Sequence, residues 1–280
     1  MSILNRKKLR LSTLGLAIIT FFTLSLSACS DDDGPTFLPK LPANGGDNVK
    51  YIIHSGNVMT SYDWKFNYSG PRMGSASGVL RDPQPDIDKS YKYTSNLRYG
   101  YNHVDVRNSN NVPVSISLNS EGYIGNMKVG KNTYNFIYDE NRLVAWYKTI
   151  FEDSFGPSSQ YKTSATIRYN NGNLETVVVT GPDNVPVTTT FVPSPMENRN
   201  GLLPETASEQ LGCLGFEHLY YAGLLGLPSK NLVKSLTVSY GDESKKGYTI
   251  DFEYGTEGNN VTLCNYHTNT GAIASVRYDY

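Results

Sequence analysis

The chain has 280 residues, with 25 Lys and Arg set against 26 Asp and Glu. Beyond its first ten residues it has no clustered basic footprint of the kind that nucleic-acid phosphates demand, which excludes that partner class. Tyrosine is abundant at 21 and tryptophan scarce at two, a balance that suits pleated strands with amphipathic faces.

Residues 1–28 have the three parts of an export signal. Arg6, Lys7, Lys8 and Arg10 form a basic start, Leu14 to Leu26 an apolar stretch, and Ser27-Ala28 a small-residue site before Cys29. The stretch is too short and too rich in Ser and Thr for a membrane span of roughly 20 apolar residues. Leu26-Ser27-Ala28-Cys29 therefore reads as a lipobox, with Cys29 lipidated and holding the protein on a membrane. Two or more acyl chains suffice for stable anchoring. Without residues 1–28, 21 basic residues face 26 acidic ones, a net charge of −5. Ser30, Asp31, Asp32 and Asp33 follow the cysteine, and this run resembles the surface-export signal of Bacteroidota lipoproteins. It implies an outer-membrane lipoprotein facing the cell surface, with a periplasm-facing location as the alternative.

Residues 29–49 hold Gly34-Pro35, Pro39, Pro42 and Gly45-Gly46 among polar residues, the composition of a flexible tether. A single antiparallel β domain is expected over 50–280, beginning near Lys50 to Ile53. Period-two alternation then dominates. Strands are predicted at Tyr62 to Tyr68, Leu97 to Tyr101, Val112 to Leu118, Tyr134 to Tyr138, Leu143 to Ile150, Thr163 to Tyr169, Leu174 to Val179 and Val185 to Val192. More follow at Leu232 to Tyr240, Gly247 to Tyr254, Asn260 to Tyr266 and Ala272 to Tyr280. Tyr138-Asp139-Glu140-Asn141-Arg142-Leu143 matches Tyr169-Asn170-Asn171-Gly172-Asn173-Leu174, each reading as strand, Asx-rich turn and strand. The spacing predicts a mainly β fold, a curved antiparallel β-meander of repeated hairpins.

One segment, near 206–226, breaks the pattern. Thr206 and Glu209 have capping-box spacing, and Leu211, Leu214, His218, Leu219, Leu224 and Leu225 recur at near-helical intervals. A short helical insert packed on the sheet is expected there, stopped at Gly226 and Pro228. Cys213 and Cys264 are the cysteines left after Cys29. An exported compartment lets them pair as a disulfide, and two buried thiols are the alternative.

Leu224-Leu225-Gly226-Leu227-Pro228-Ser229-Lys230-Asn231-Leu232-Val233-Lys234-Ser235-Leu236, leading into Tyr248-Thr249-Ile250-Asp251-Phe252-Glu253-Tyr254, resembles an uncharacterised Bacteroidota lipoprotein family, domain of unknown function 4595. Its members carry YD-repeat-like hairpins and a helical insert before a final "Lys-Asn-Leu-Pro-Lys" strand, whose proline is Val233 here. The resemblance spans roughly residues 97–265. It implies a lipid-anchored curved β domain and brings no active-site residues.

No catalytic motif or cofactor motif is present. Gly-x-Ser-x-Gly does not occur, and His54, His103, His218 and His267 are scattered. Cys213 and His218 with Cys264 and His267 have spacings a zinc ion accepts, although packing is the simpler explanation. Asp82, Asp86 and Asp88 crowd one Pro-rich loop without an EF-hand pattern. Asp63, Asp105, Glu152, Asp153 and Glu217 are carboxylates that a hydrolase would have to pair across a cleft. Aromatic residues point elsewhere. Trp64, Tyr99, Tyr101 and Trp146 head a set of candidates for stacking on sugar rings, together with Tyr68, Tyr91, Tyr93 and Tyr147, unless they fill the core. The resulting expectation is a non-enzymatic binding or scaffolding protein of the cell envelope with a glycan or protein ligand. A polysaccharide-acting hydrolase and a purely structural envelope component are the alternatives.

Overall fold

The structure, a computed structural model, describes residues 46–56, 61–81, 92–152, 159–213 and 215–280. Among these are sixteen strands: β1 (Tyr51–Gly56), β2 (Ser61–Ser69), β3 (Arg72–Arg81), β4 (Lys92–Tyr99), β5 (His103–Asn108), β6 (Val114–Leu118), β7 (Ile124–Val129), β8 (Asn132–Asp139), β9 (Arg142–Glu152), β10 (Ser159–Asn170), β11 (Asn173–Thr180), β12 (Pro186–Glu197), β13 (Asn231–Tyr240), β14 (Tyr248–Glu257), β15 (Asn260–Thr268) and β16 (Ile273–Asp279). Every strand pairs antiparallel with its sequence neighbours, and β1 pairs with β16 in the register Ile52↔Tyr278. The expected curved antiparallel meander is present, and it closes on itself into a barrel, a closure not expected from the sequence. Alternation marks each strand's two faces but is silent on curvature, and closure removes the two bare edges a meander would leave.

Two of the tight hairpin turns lie where the repeated motif placed them. Glu140 and Asn141 between β8 and β9, and Asn171 and Gly172 between β10 and β11, all have positive φ. This is the I′ arrangement, whose twist matches that of the flanking strands. Strand β3 escaped the alternation because its inward side is small. Trp64 on β2 lies over Gly78, where a Cβ would come within 2.9 Å of the indole.

Up-and-down order with an even strand number puts both ends of the barrel sequence at one rim, here named the terminal end. Tyr51 sits beside Asp279 there, and the incoming chain is fastened by Gly46 N donating to Arg199 O at 3.1 Å. The opposite rim, where β1 ends and β2 begins, is here named the open end.

The two faces of the wall differ sharply. Inward residues such as Ile52, Phe66, Leu97, Val104, Ile116, Phe136, Ile167 and Val276 are buried. Outward positions carry Lys65 and Asn67; Thr94, Asn96 and Arg98; His103, Asp105 and Arg107; Ser115 and Ser117; Asp251 and Glu253. The exposed large apolar residues, among them Tyr101, Ile137, Val192 and Ile273, are scattered rather than banded. This is the reverse of a lipid-spanning barrel, which carries an apolar outer band about 25 Å tall. No helix of the described residues is long and apolar enough to cross a membrane.

The connection between β12 and β13 fills the barrel from the terminal end. Its Leu202, Leu203, Ala207, Leu211, Cys213, Leu219, Tyr221, Leu224 and Leu225 are all buried. It touches the wall on several sides. Ile124 N donates to Leu224 O at 2.9 Å, Leu227 N to Asn141 O at 2.7 Å and Lys230 N to Gly172 O at 2.9 Å. Trp146 Nε1 donates to Gln210 O at 3.0 Å, and the Phe66 and Tyr221 rings pack at a tilt with centroids 5.1 Å apart. The expected helical insert on the sheet is therefore corrected to a plug inside it, mostly turns with one short helix, α1 (Glu217–Tyr221). Thr206 has φ of 67° and starts no helix, and Gly212, at φ 74°, sits against the Trp146 indole where a Cβ would approach to 2.9 Å. Near-helical leucine spacing here reflects burial on all sides rather than one helical stripe.

Candidate binding cavity

Between the plug and the open end lies a cavity of about 780 Å³. Its wall comes from the open-end portions of strands, including His54, Tyr62, Tyr134, Lys148, Tyr240 and Tyr248. Its floor is the plug, which contributes Glu205, Glu209, Gln210, Glu217 and Tyr221. Apolar rings and aliphatic groups thus surround a few polar ones, and the volume falls within the range of small-ligand sites, about 300–1,000 Å³.

His54 joins wall to plug. Its backbone N–H donates to Asp63 Oδ1 at 2.8 Å, its Nδ1 lies 3.1 Å from the same oxygen, and its Nε2 lies 3.2 Å from Glu205 Oε2. Tyr278 OH donates to Glu205 Oε1 at 2.7 Å. Burial alone would lower the imidazole pKa, but the Glu205 charge and hydrogen bonds with Asp63 and Glu205 outweigh it and raise it to about 9. His54 is therefore an imidazolium at neutral pH, and it neutralises much of the charge on Glu205.

Glu217 is in a different situation. Its Oε1 accepts from Ser208 Oγ, while its Oε2 is shut off from solvent and lacks a hydrogen-bond partner. Burial pushes this carboxyl's pKa up, only partly opposed by hydrogen bonds from Ser208 and the local backbone, and the Glu205 charge adds to the rise. His218 beside it packs as an aromatic ring, 5.2 Å from Trp64 and 5.6 Å from Tyr93. Both of its nitrogens lack partners among the described residues, and burial lowers its pKa to about 3, so it is neutral.

The sequence candidates do not converge on one platform. Trp64 is buried and lines the cavity. Trp146 is buried against the plug. Tyr99 donates to Met73 O at 3.1 Å near the terminal end, and Tyr101 is exposed in the turn just beyond it. Cys213 and Cys264 are free and buried, and the suggested disulfide is not formed. Their neighbourhoods explain why. The Cys213 sulfur lies near Glu217, Tyr138 and Tyr220 whereas that of Cys264 lies near Tyr254 and Tyr278, and burial raises both thiol pKa values. His267 is on the outer face, 3.6 Å from Asp251, so it cannot join the inward His218 on one zinc ion.

Of the carboxylates, Asp105 faces outward beside His103 at 3.9 Å, Asp63 binds His54, and Glu217 lines the cavity. Cys29, Ser30, Asp31, Asp32 and Asp33, together with Asp82, Asp86, Asp88, Tyr91 and Asp153, lie outside the described residues. Sequence reasoning missed Glu205, Glu209 and Lys148. An acidic residue inside an apolar, non-strand segment was the available signal for the first two.

No family model and no curated protein matches the chain. Solved structures do. A porin-like protein from Bacteroides uniformis ATCC 8492 superposes with a TM-score of 0.64 at 17% identity, covering 82% of this chain and 97% of that one. A porin-like protein from Bacteroides vulgatus ATCC 8482 gives 0.54 at 12% identity, covering 84% and 99%. At these identities the likeness establishes a shared barrel fold.

Proposed function

We propose that this chain is a lipid-anchored protein of the cell envelope that binds a small ligand without catalysis, in the cavity at the open end of its barrel. The carrying observation is the polarity of the wall. Its outer face is built for water and its inner face for a plug and an apolar ligand, so the barrel stands beside a membrane instead of crossing it. Lipidation at Cys29 supplies the attachment. The chain enters the barrel at the terminal end, so the cavity mouth lies at the rim remote from the tether. Export through Ser30 to Asp33 then presents that mouth to the outside of the cell. The porin-like neighbours support an envelope setting. A concave cavity suits a free small molecule or the end of a glycan better than a folded protein surface.

The test is purification of the mature chain, residues 29–280 with Cys29→Ser, in buffer without detergent. A monodisperse barrel that takes up the neutral fluorophore N-phenyl-1-naphthylamine is expected. A protein that dissolves only in detergent would overturn the water-facing wall, and a dissolved barrel that excludes the fluorophore would overturn the cavity.

A further inference from the structure

Buried carboxylates in folded proteins are paired or hydrogen-bonded, because an isolated buried charge is costly. Glu205 follows that rule through His54 and Tyr278. Glu217 follows it only in part. Its Oε1 accepts from the neutral Ser208 hydroxyl and the local backbone adds hydrogen bonds, but its Oε2 is buried without a partner and no cation is among the groups that perturb it. Glu209 lines the same floor and has no ion pair among the described residues. Lys148, the one lysine of the lining among the described residues, is engaged with the Tyr134 ring, its Nζ 5.6 Å from the ring centre.

The wall facing these acids is aromatic. Tyr62 is close enough to Glu217 for that carboxylate to help raise its pKa, after burial, and for Tyr248 burial and Tyr240 raise the pKa first, with Glu209 adding to the rise. Trp64, whose rings are 5.3 Å from Tyr62, continues the surface. Aromatic faces attract cations through the ring quadrupole, most strongly where water is excluded. Acid and ring therefore ask for the same thing at the same place.

We propose that the cavity takes an organic cation, an amine or quaternary ammonium on an apolar body, with Glu217 as its counter-ion and Tyr62 and Trp64 as its aromatic wall. Glu209 adds a second negative charge on the floor. The apolar part of the ligand lies against Val179, Val187 and Val238, which line the cavity. Anionic compounds of the same shape are rejected by the same two acids. This rests on the binding role proposed above and names the ligand class for that site.

The experiment is displacement of N-phenyl-1-naphthylamine from the mature chain by benzyltrimethylammonium and by its neutral isostere neopentylbenzene. The cation is expected to bind at least roughly tenfold more tightly than the isostere, equivalent to about 1.4 kcal/mol. Glu217→Gln is expected to erase most of that ratio. Equal affinity for cation and isostere in the unsubstituted protein would overturn the cationic ligand and leave the binding role standing. Absence of fluorophore uptake in that protein would overturn the binding role itself. Retention of the full ratio in Glu217→Gln would remove Glu217 as the counter-ion. If that variant does not fold, Tyr62→Leu is read the same way, with loss of the ratio expected and its full retention counting against the aromatic wall.

Discussion

The wall and the plug of this barrel are held by different means. In the wall every strand exchanges backbone hydrogen bonds with both neighbouring strands, successive residues alternating between the two, and the side chains only have to alternate. In the plug, a five-residue helix and a set of turns leave few internal ladders, and fixation comes from contacts with the wall: Trp146 to Gln210, His54 and Tyr278 to Glu205, Ile124 to Leu224. The wall sets the diameter, whereas the plug supplies the core and decides where the cavity stops. Neither part hides its apolar surface alone, which predicts that they fold as one unit.

The largest expected effect comes from cutting that mutual dependence. Trp146 is 1% exposed and its indole N–H holds a plug carbonyl. Trp146→Ala should cost about 3–5 kcal/mol, the usual range for a buried large aromatic, and urea unfolding followed by tyrosine fluorescence would measure it. A loss below about 1 kcal/mol would break the comparison, because the plug would then be a passenger in a self-sufficient wall.

The second effect is electrostatic and carries a sign. His54 is raised from 6.5 unfolded to about 9 folded, through Glu205 and Asp63 against the opposing effect of burial. A group whose folded pKa is raised binds its proton more tightly in the native state. Its contribution is therefore complete below about pH 6.5 and is lost as pH rises to about 9. A shift of this size corresponds to roughly 3 kcal/mol. Wild-type stability should fall across that window, while His54→Gln should be less stable at pH 6 and flatter between pH 6.5 and 9. Parallel profiles for the two proteins would mean that the wall-to-plug clasp is not ionic.

The same two regions explain what could be read in advance. Strands such as β2, with Tyr62, Trp64, Phe66 and Tyr68 on one side, announce themselves because a half-buried strand must alternate. Strand β3 does not, since its inward Ala76 and Gly78 stand opposite Phe66 and Trp64 of its neighbour. Closure was not legible, because the β1–β16 pairing joins residues at opposite ends of the chain and leaves no local pattern. The plug was misread for a related reason. Surrounded by wall on all sides, it needs apolar residues in every direction, and that need resembles a poorly formed helix. Glu205 became visible as a site residue, and Glu217 stood out from the other candidate carboxylates, only once their enclosure was known, since a carboxylate's neighbours, not its spacing, set its chemistry. The likeness to the family of unknown function 4595 rests on the quoted residues alone.

The smallest expected effect tests the outer face of the wall, and it discriminates best. Ile137 sits within β8, half exposed, among outward Thr133, Asn135 and Asp139. If the wall faces water, Ile137→Lys removes a chance apolar group from a polar surface. It should then change stability by no more than about 0.5 kcal/mol, as for most surface substitutions. If the wall met lipid, a lysine here, two residues from the end of β8, would carry a cost that reaches about 2–4 kcal/mol at the midplane and shrinks toward the rim. A denaturation curve separates a clear loss of stability from none. A near-zero result keeps the division of labour argued above, in which polar chemistry lies outside, the plug and cavity inside, and the membrane is met only through the tether. A cost of lipid-facing size would instead turn the wall's outer surface into the membrane contact, although β5 and β6 present only His, Asp, Arg and Ser there.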